Sequence, residues 1–115
     1  MITRPEVLAV EPLPDGVRLQ LHIPASLAHF PDHFPRFAMV PGVAQLEWAV
    51  RLAAEHLGMT GPMRRITALK FQHPMLPRDH ASLSLTRVDA GVLAFAYEKS
   101  GRACSSGRVA FGAPS

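Results

Sequence analysis

The sequence predicts an α+β domain in which an antiparallel sheet curls around one helix. Two observations indicate this class: one apolar helical stretch follows a long proline-containing loop, and strand-like runs joined by short turns lie on both sides of it. A chain of 115 residues can bury one core but is small for two. A single apolar helix beside so much sheet is buried best when the sheet wraps it. We therefore predict one domain, residues 1–115.

The first well-defined element is a strand over residues 17–23, where apolar and polar residues alternate without a break. Its apolar face comprises Val17, Leu19, Leu21 and Ile23. Before it, three prolines and the turn pair Asp15-Gly16 indicate an edge segment with a short strand around residues 7–10. The beginning of the chain is therefore predicted to be β-structure with one buried face.

The helix is predicted to run from about Pro41 to Leu57. Pro41 suits the first helical position because its missing N–H would have no partner there, and Gly58 is a natural C-terminal stop. At about 100° per residue, the main apolar stripe is predicted to be Val43, Leu46, Val50, Ala53 and Leu57. Trp48 and Leu52 fall on another side, so the helix is predicted to be covered on several faces.

Four further strand-like runs follow the helix, over residues 64–71, 81–88, 92–99 and 102–111. Asp89-Ala-Gly91 and Ser100-Gly101 separate successive runs and are typical of short hairpin connections. The irregular stretch 24–40 before the helix is long and apolar, and connections of that length usually serve a function. The sequence thus predicts a strand, a functional loop, a helix and then a meander of strands.

Composition excludes several classes of function. Twelve Lys and Arg against nine Asp and Glu leave a charge of +3 without a basic run, so nucleic-acid binding is not indicated. No apolar run approaches the roughly eighteen residues that a membrane span needs, and the N-terminus lacks a signal-peptide core, so we expect a cytoplasmic protein. Cys104 is the single cysteine, which excludes an internal disulfide and is interpreted as a small buried hydrophobe.

The chemistry is predicted to lie in the stretch from His33 to Gly58. Gly42 has no side chain to cover the N–H groups at the helix start, and those donors favour negative charge. His33 is a candidate base and Glu47 a candidate acid, both within fifteen residues of each other. His29 and His33 have helical metal-ligand spacing, but Pro31 and Pro35 disfavour a helix there and no further ligand set completes a zinc site.

Two motifs resemble the signature of the β-hydroxyacyl-acyl-carrier-protein dehydratases. The first is His33-Phe-Pro, then Pro41-Gly42, then Glu47 fourteen residues after the histidine. The second is Phe71-Gln-His-Pro-Met-Leu-Pro-Arg-Asp79, which is similar to the family's strand and turn ending in Pro-Gly-Asp. The segment Val-Pro-Gly-Val-Ala-Gln-Leu-Glu-Trp most resembles the small thioester dehydratases associated with aryl polyene synthesis.

The resemblance implies a hotdog fold, a curved antiparallel sheet wrapped around one long central helix. It implies a homodimer with active sites at the interface, histidine and carboxylate coming from different subunits, and leaves larger assemblies open. The substrate would be a 3-hydroxyacyl group on the phosphopantetheine arm of an acyl carrier protein, with no metal or organic cofactor. Basic residues that could receive the acidic carrier are Arg36, Arg64, Arg65, Lys70 and Arg78.

Each candidate site residue receives a role on this basis. His33 is the base, Glu47 the acid or the carboxylate that orients water, and the Gly42 N–H the oxyanion donor. The resemblance adds that the Met39 carbonyl would hold the other nitrogen of the imidazole. Gln45 is either a buried hydrogen-bonding residue or a substrate contact. The other histidines are interpreted as solvated or structural: His22, His29, His56, His73 and His80.

Three residues depart from the family pattern. Arg36 and Arg78 each replace a glycine, and Arg51 stands where the fatty-acid enzymes usually carry glutamine. A positive charge one helical turn from Glu47 would hold that carboxyl ionised, which is unhelpful for a general acid. Two alternatives to dehydration therefore stay open: a hotdog acyl thioesterase, and a non-catalytic subunit that binds the acyl carrier.

Overall fold

In the described part of the chain, six antiparallel strands form one sheet and one helix packs against it. The computed structural model describes residues 4–25 and 39–112. The strand order is β1-β2-β4-β5-β6-β3, so β1 and β3 are the two edges. The elements, in chain order, are β1 (Glu6–Leu13), β2 (Gly16–His22), α1 (Gly42–Leu57), β3 (Met63–Phe71), β4 (His80–Asp89), β5 (Val92–Lys99) and β6 (Arg102–Phe111). All the strands predicted from the sequence are present, with ends within a few residues of the predicted ones.

The core lies between the helix and rows of cross-strand neighbours on one face of the sheet. One such row crosses four strands, from Leu19 to Leu83, Tyr97 and Ser105. All four of these residues are buried. The alternation predicted for residues 17–23 is confirmed, because its apolar positions face this core and the intervening Gln20 is exposed. Side chains at alternate positions thus give the sheet one apolar face.

The helix begins and ends close to the predicted residues. Gly42 is the first helical residue and Pro41 is the N-cap, with φ −60° and ψ 148°, so the helix begins one residue later than predicted. Gly58 ends it in the left-handed region at φ 65°, and its N–H donates to the carbonyl of Ala53. In the described part of the chain, no helix is long and apolar enough to cross a membrane.

Of the predicted apolar stripe, only Ala53 is fully buried against this sheet. Val43 is 78% exposed, while Leu46, Val50 and Leu57 are only partly buried. The buried face comprises Ala44, Gln45, Trp48, Ala49, Leu52 and Ala53. Small alanines let the helix approach the sheet closely, and Trp48 fills the space between them. A second apolar face therefore remains uncovered, as expected for a helix that is apolar over most of its circumference.

The turn before β4 contains Arg78, one of the residues that depart from the family pattern. The Asp79 N–H donates to the Leu76 carbonyl at 3.1 Å, and Arg78 has φ 71°. Pro77 precedes it, so residues 76–79 form a turn of type II, whose third position favours glycine. Arg78 occupies that position at a cost of about 1 kcal/mol. Lys99 Nζ, which lies 2.7 Å from Asp79 Oδ2, ties the turn to β5.

Candidate functional site

The start of the helix lies at a cavity of about 340 Å³. The helix has no acidic residue in its first turn, and no side chain of the described residues caps the N–H groups there. The ring of Phe71 covers Gly42, and a Cβ on Gly42 would lie 2.6 Å from its Cζ atom. Glycine is therefore what lets the helix start and this ring approach each other. The cavity is lined by Met39, Val40, Gly42, Gln45, Phe71, Gln72, His73 and Pro74.

Gln45 is at the inner end of this cavity and is 4% exposed. Its Nε2 donates to the Val40 carbonyl at 3.1 Å, and its Oε1 accepts from Ser105 Oγ at 2.5 Å. The Tyr97 hydroxyl donates to the Gln45 backbone carbonyl at 2.6 Å, and burial raises the pKa of that phenol well above its usual value. Both ends of the side-chain amide therefore have protein partners. The bond to the Val40 carbonyl holds the chain just before the helix start.

Glu47 lies at a different cavity. Its side chain is 50% exposed, and its Oε1 accepts a hydrogen bond from Arg51 Nη2 at 2.8 Å. Val43, one turn before Glu47, is 78% exposed, so this side of the helix is open to solvent in the single chain. The cavity has a volume of about 510 Å³ and is lined by Val43, Leu46, Glu47, Val50, Arg51, Ala54 and Met63.

Of the predicted site residues that the structure describes, three lie together and Glu47 lies apart from them. Met39, Gly42 and Gln45 line the cavity at the helix start, whereas Glu47 is two residues beyond Gln45, about 200° around the helix. His33, His29 and Arg36 lie outside the described residues. The role of His33 therefore stays a prediction, and so does the contact predicted between it and the Met39 carbonyl.

His73 is a site residue that the sequence analysis missed. It lines the cavity at the helix start, and its Nδ1 lies 3.0 Å from the Ala103 carbonyl oxygen. The signal in the sequence was its place in the second motif, two residues after Phe71 and directly before Pro74. The orientation of the His73 ring depends on its contact with β6, about thirty residues later in the chain. The local sequence pattern does not predict that contact.

Comparison with known proteins identifies the family. The model of the ApeI-like dehydratases matches residues 11–108. The chain belongs to this family. As a member it is a dehydratase, a hydro-lyase, and the predicted kinship with the aryl polyene-type dehydratases is confirmed. No curated protein matches the chain.

Two solved structures cover nearly the whole chain. The dehydratase heterocomplex ApeI:P from Xenorhabdus doucetiae has a chain with 27% identity and a TM-score of 0.83, covering 94% of this chain and 97% of that one. An uncharacterized protein from Erwinia carotovora subsp. atroseptica has 30% identity and a TM-score of 0.77, covering 96% and 95% respectively. The predicted α+β hotdog fold is confirmed by this likeness.

Other reactive groups do not form a second centre in the described ranges. Cys104 is buried, and burial raises the pKa of its thiol, which keeps the sulfur a weak nucleophile. Within residues 4–25 and 39–112, no three His, Cys, Asp or Glu side chains come together as a metal site. In these ranges, the predicted site residues Met39, Gly42, Gln45 and Glu47 line two cavities along the helix.

Proposed function

We propose that this dehydratase converts a 3-hydroxyacyl thioester, carried on the phosphopantetheine arm of an acyl carrier protein, to the trans-2-enoyl thioester. The observation that supports this most is the helix start at Gly42, which lines a cavity and has no side-chain cap among the described residues, in a chain of the dehydratase family. Removal of the proton beside the carbonyl places negative charge on the thioester oxygen. A backbone N–H that already points there stabilises this charge without rearrangement.

His33 and Glu47 supply the proton chemistry in this proposal. The neutral imidazole of His33 takes the proton from the carbon beside the carbonyl, since its usual pKa of about 6.5 leaves it largely unprotonated at neutral pH. The electron pair forms the new double bond, and the hydroxyl leaves as water. Glu47 acts on that hydroxyl, either as the acid that protonates it or as the carboxylate that orients it. Its Oε2 accepts no hydrogen bond from a described residue.

A second copy of the chain would complete the site. All nine residues of β3 are exposed, and β3 ends the sheet with its outer edge unpaired among the described strands. Its apolar side chains Met63, Ile66, Leu69 and Phe71 are exposed, as is Val43 on the neighbouring helix face. An isologous contact at this edge covers those groups and can bring Glu47 of one copy to the helix start of the other. The heterocomplex of the related ApeI makes a partner of different sequence the alternative occupant.

Basic side chains on the same strand suit an acidic carrier. Arg64, Arg65 and Lys70 lie on β3 and form no ion pair with a described residue. Arg64 and Arg65 also line a surface depression together with Ala110. Such exposed cations, without an ion-pair partner among the described residues, can steer an acidic protein to the cavity mouth. We therefore propose that the carrier protein docks on these basic side chains, which the contact between the two copies has to leave exposed.

The test is product analysis with the purified chain and 3-hydroxyacyl carrier substrates of several chain lengths. The expected product is the enoyl thioester, identified by mass spectrometry as the substrate less one water. A free acid with a free thiol would instead identify a thioesterase. Binding of the acyl carrier without any turnover would identify a non-catalytic partner subunit. Either of these two results contradicts the proposal.

A further inference from the structure

We propose that His73 contacts the substrate, with its Nε2 accepting a hydrogen bond from an amide N–H of the pantetheine arm. This inference rests on the proposed function, because it assigns a residue to the arm of the same substrate. A contact with β6 fixes the tautomer of the His73 ring, and no described residue forms a hydrogen bond with its second nitrogen, Nε2.

The tautomer follows from the contact with β6. A carbonyl oxygen only accepts hydrogen bonds, so the 3.0 Å contact between His73 Nδ1 and the Ala103 oxygen requires a proton on Nδ1. In the neutral ring, Nε2 then carries the lone pair and is an acceptor. None of the described residues forms a hydrogen bond with this nitrogen. Its natural ligand is therefore an N–H or O–H donor.

The backbone around His73 is fixed as well. The N–H groups of Gln72 and His73 both donate to the Cys104 carbonyl, at 2.8 Å and 3.2 Å. Cys104 lies in β6 and is 1% exposed, so the imidazole is anchored to this strand through both its backbone and its ring. A donor arriving at Nε2 meets a pre-positioned acceptor, which lowers the entropic cost of the contact.

The position along the cavity indicates which part of the substrate meets His73. Val40 and Gln45 are buried at the inner end, by the helix start, whereas Phe71 and His73 are exposed and form the mouth. The arm has to pass the mouth to reach a carrier protein outside, while the hydroxyl of the acyl chain belongs at the inner end. Met39, Val40 and Pro74 give this cavity apolar walls that suit methylene groups, and the amides of Gln45 and Gln72 also line it. His73 is the titratable side chain among the residues that line it.

The experiment compares two thioesters of the same saturated acyl chain, which lack the hydroxyl and cannot be dehydrated. Butyryl-pantetheine contains amide groups, and the butyryl thioester of ethanethiol contains none. We expect His73→Phe to weaken binding of butyryl-pantetheine about tenfold, the effect of one hydrogen bond, and to leave the ethanethiol thioester unchanged. We expect His73→Gln, which can still accept a hydrogen bond, to stay within about threefold of the parent on both.

Dissociation constants are measured by NMR titration, with His56→Phe as the matched control at an exposed histidine of the helix. His73→Ala adds no bulk and has to give the same pair of results as His73→Phe. The inference would be overturned if His73→Phe and His73→Ala bound butyryl-pantetheine as tightly as the parent. It would also be overturned if these variants lost affinity equally for both thioesters. Turnover of 3-hydroxybutyryl-pantetheine by the parent is measured separately. If turnover is absent while the selective loss of affinity remains, the proposed function fails and the contact stands.

Discussion

Replacing Glu47 by Gln is expected to lower kcat for a 3-hydroxyacyl carrier substrate by about 10²–10⁴-fold, with little change in KM. The amide has nearly the shape of the carboxyl group, so the substrate still binds. It cannot exchange a proton with the departing hydroxyl, and it orients that hydroxyl less well than a carboxylate. Steady-state kinetics with detection of the enoyl product measures both constants.

Glu55→Gln is the matched control for this change. Glu55 is an exposed glutamate on the same helix, and its two oxygens accept hydrogen bonds from Arg4 at 2.8 Å and 2.7 Å, much as Glu47 accepts one from Arg51. The Arg4 guanidinium holds the pKa of Glu55 below its usual value. Glu55→Gln should keep the parental kcat. If Glu47→Gln kept it as well, Glu47 would have no part in the chemistry.

Replacing Gln45 by Leu is expected to lower the free energy of unfolding by about 2–4 kcal/mol. Leucine has a similar volume, so packing changes little, but the Val40 carbonyl and the Ser105 hydroxyl lose their buried partners. Each orphaned group contributes about 1–3 kcal/mol. Denaturant unfolding at one fixed protein concentration measures the loss, since self-association would make stability concentration-dependent.

Gln20→Leu controls for the change in side-chain chemistry, because Gln20 is exposed on β2. Its effect should stay within about 0.5 kcal/mol. Adding Ser105→Ala to Gln45→Leu should recover part of the stability, since the orphaned hydroxyl is removed together with its cost. A loss in Gln45→Leu no larger than that in Gln20→Leu would show that the buried amide network does not stabilise the fold.

Much of the fold could be predicted because its signals are local. The alternation over residues 17–23 and the glycine stop at Gly58 depend only on neighbouring residues. The packed side of the helix could not be predicted, since periodicity finds apolar faces but does not say which one meets the sheet. Val43 has the apolar spacing and yet is 78% exposed, whereas Trp48 on the other side is buried. An apolar face kept for a second chain has the same pattern as one kept for the core.

The candidate site was predictable only in part, for a similar reason. The spacing of the first motif identified Gly42 and Glu47, but it gave no sign that they line separate cavities of one chain. The role of Gln45 depends on Ser105, sixty residues later, and that of His73 depends on Ala103, thirty residues later. Such contacts are set by strand order, which no local pattern encodes.

We propose that each active site takes its histidine from one subunit and its carboxylate from the other. The most direct measurement pairs His33→Ala with Glu47→Gln in a single dimer, purified through a different tag on each chain. One of its two sites then has both intact residues, so the dimer should recover about half of the parental kcat, while each variant alone keeps about one hundredth of it or less. No recovery above the single variants, or failure of the two chains to associate, would contradict the shared site.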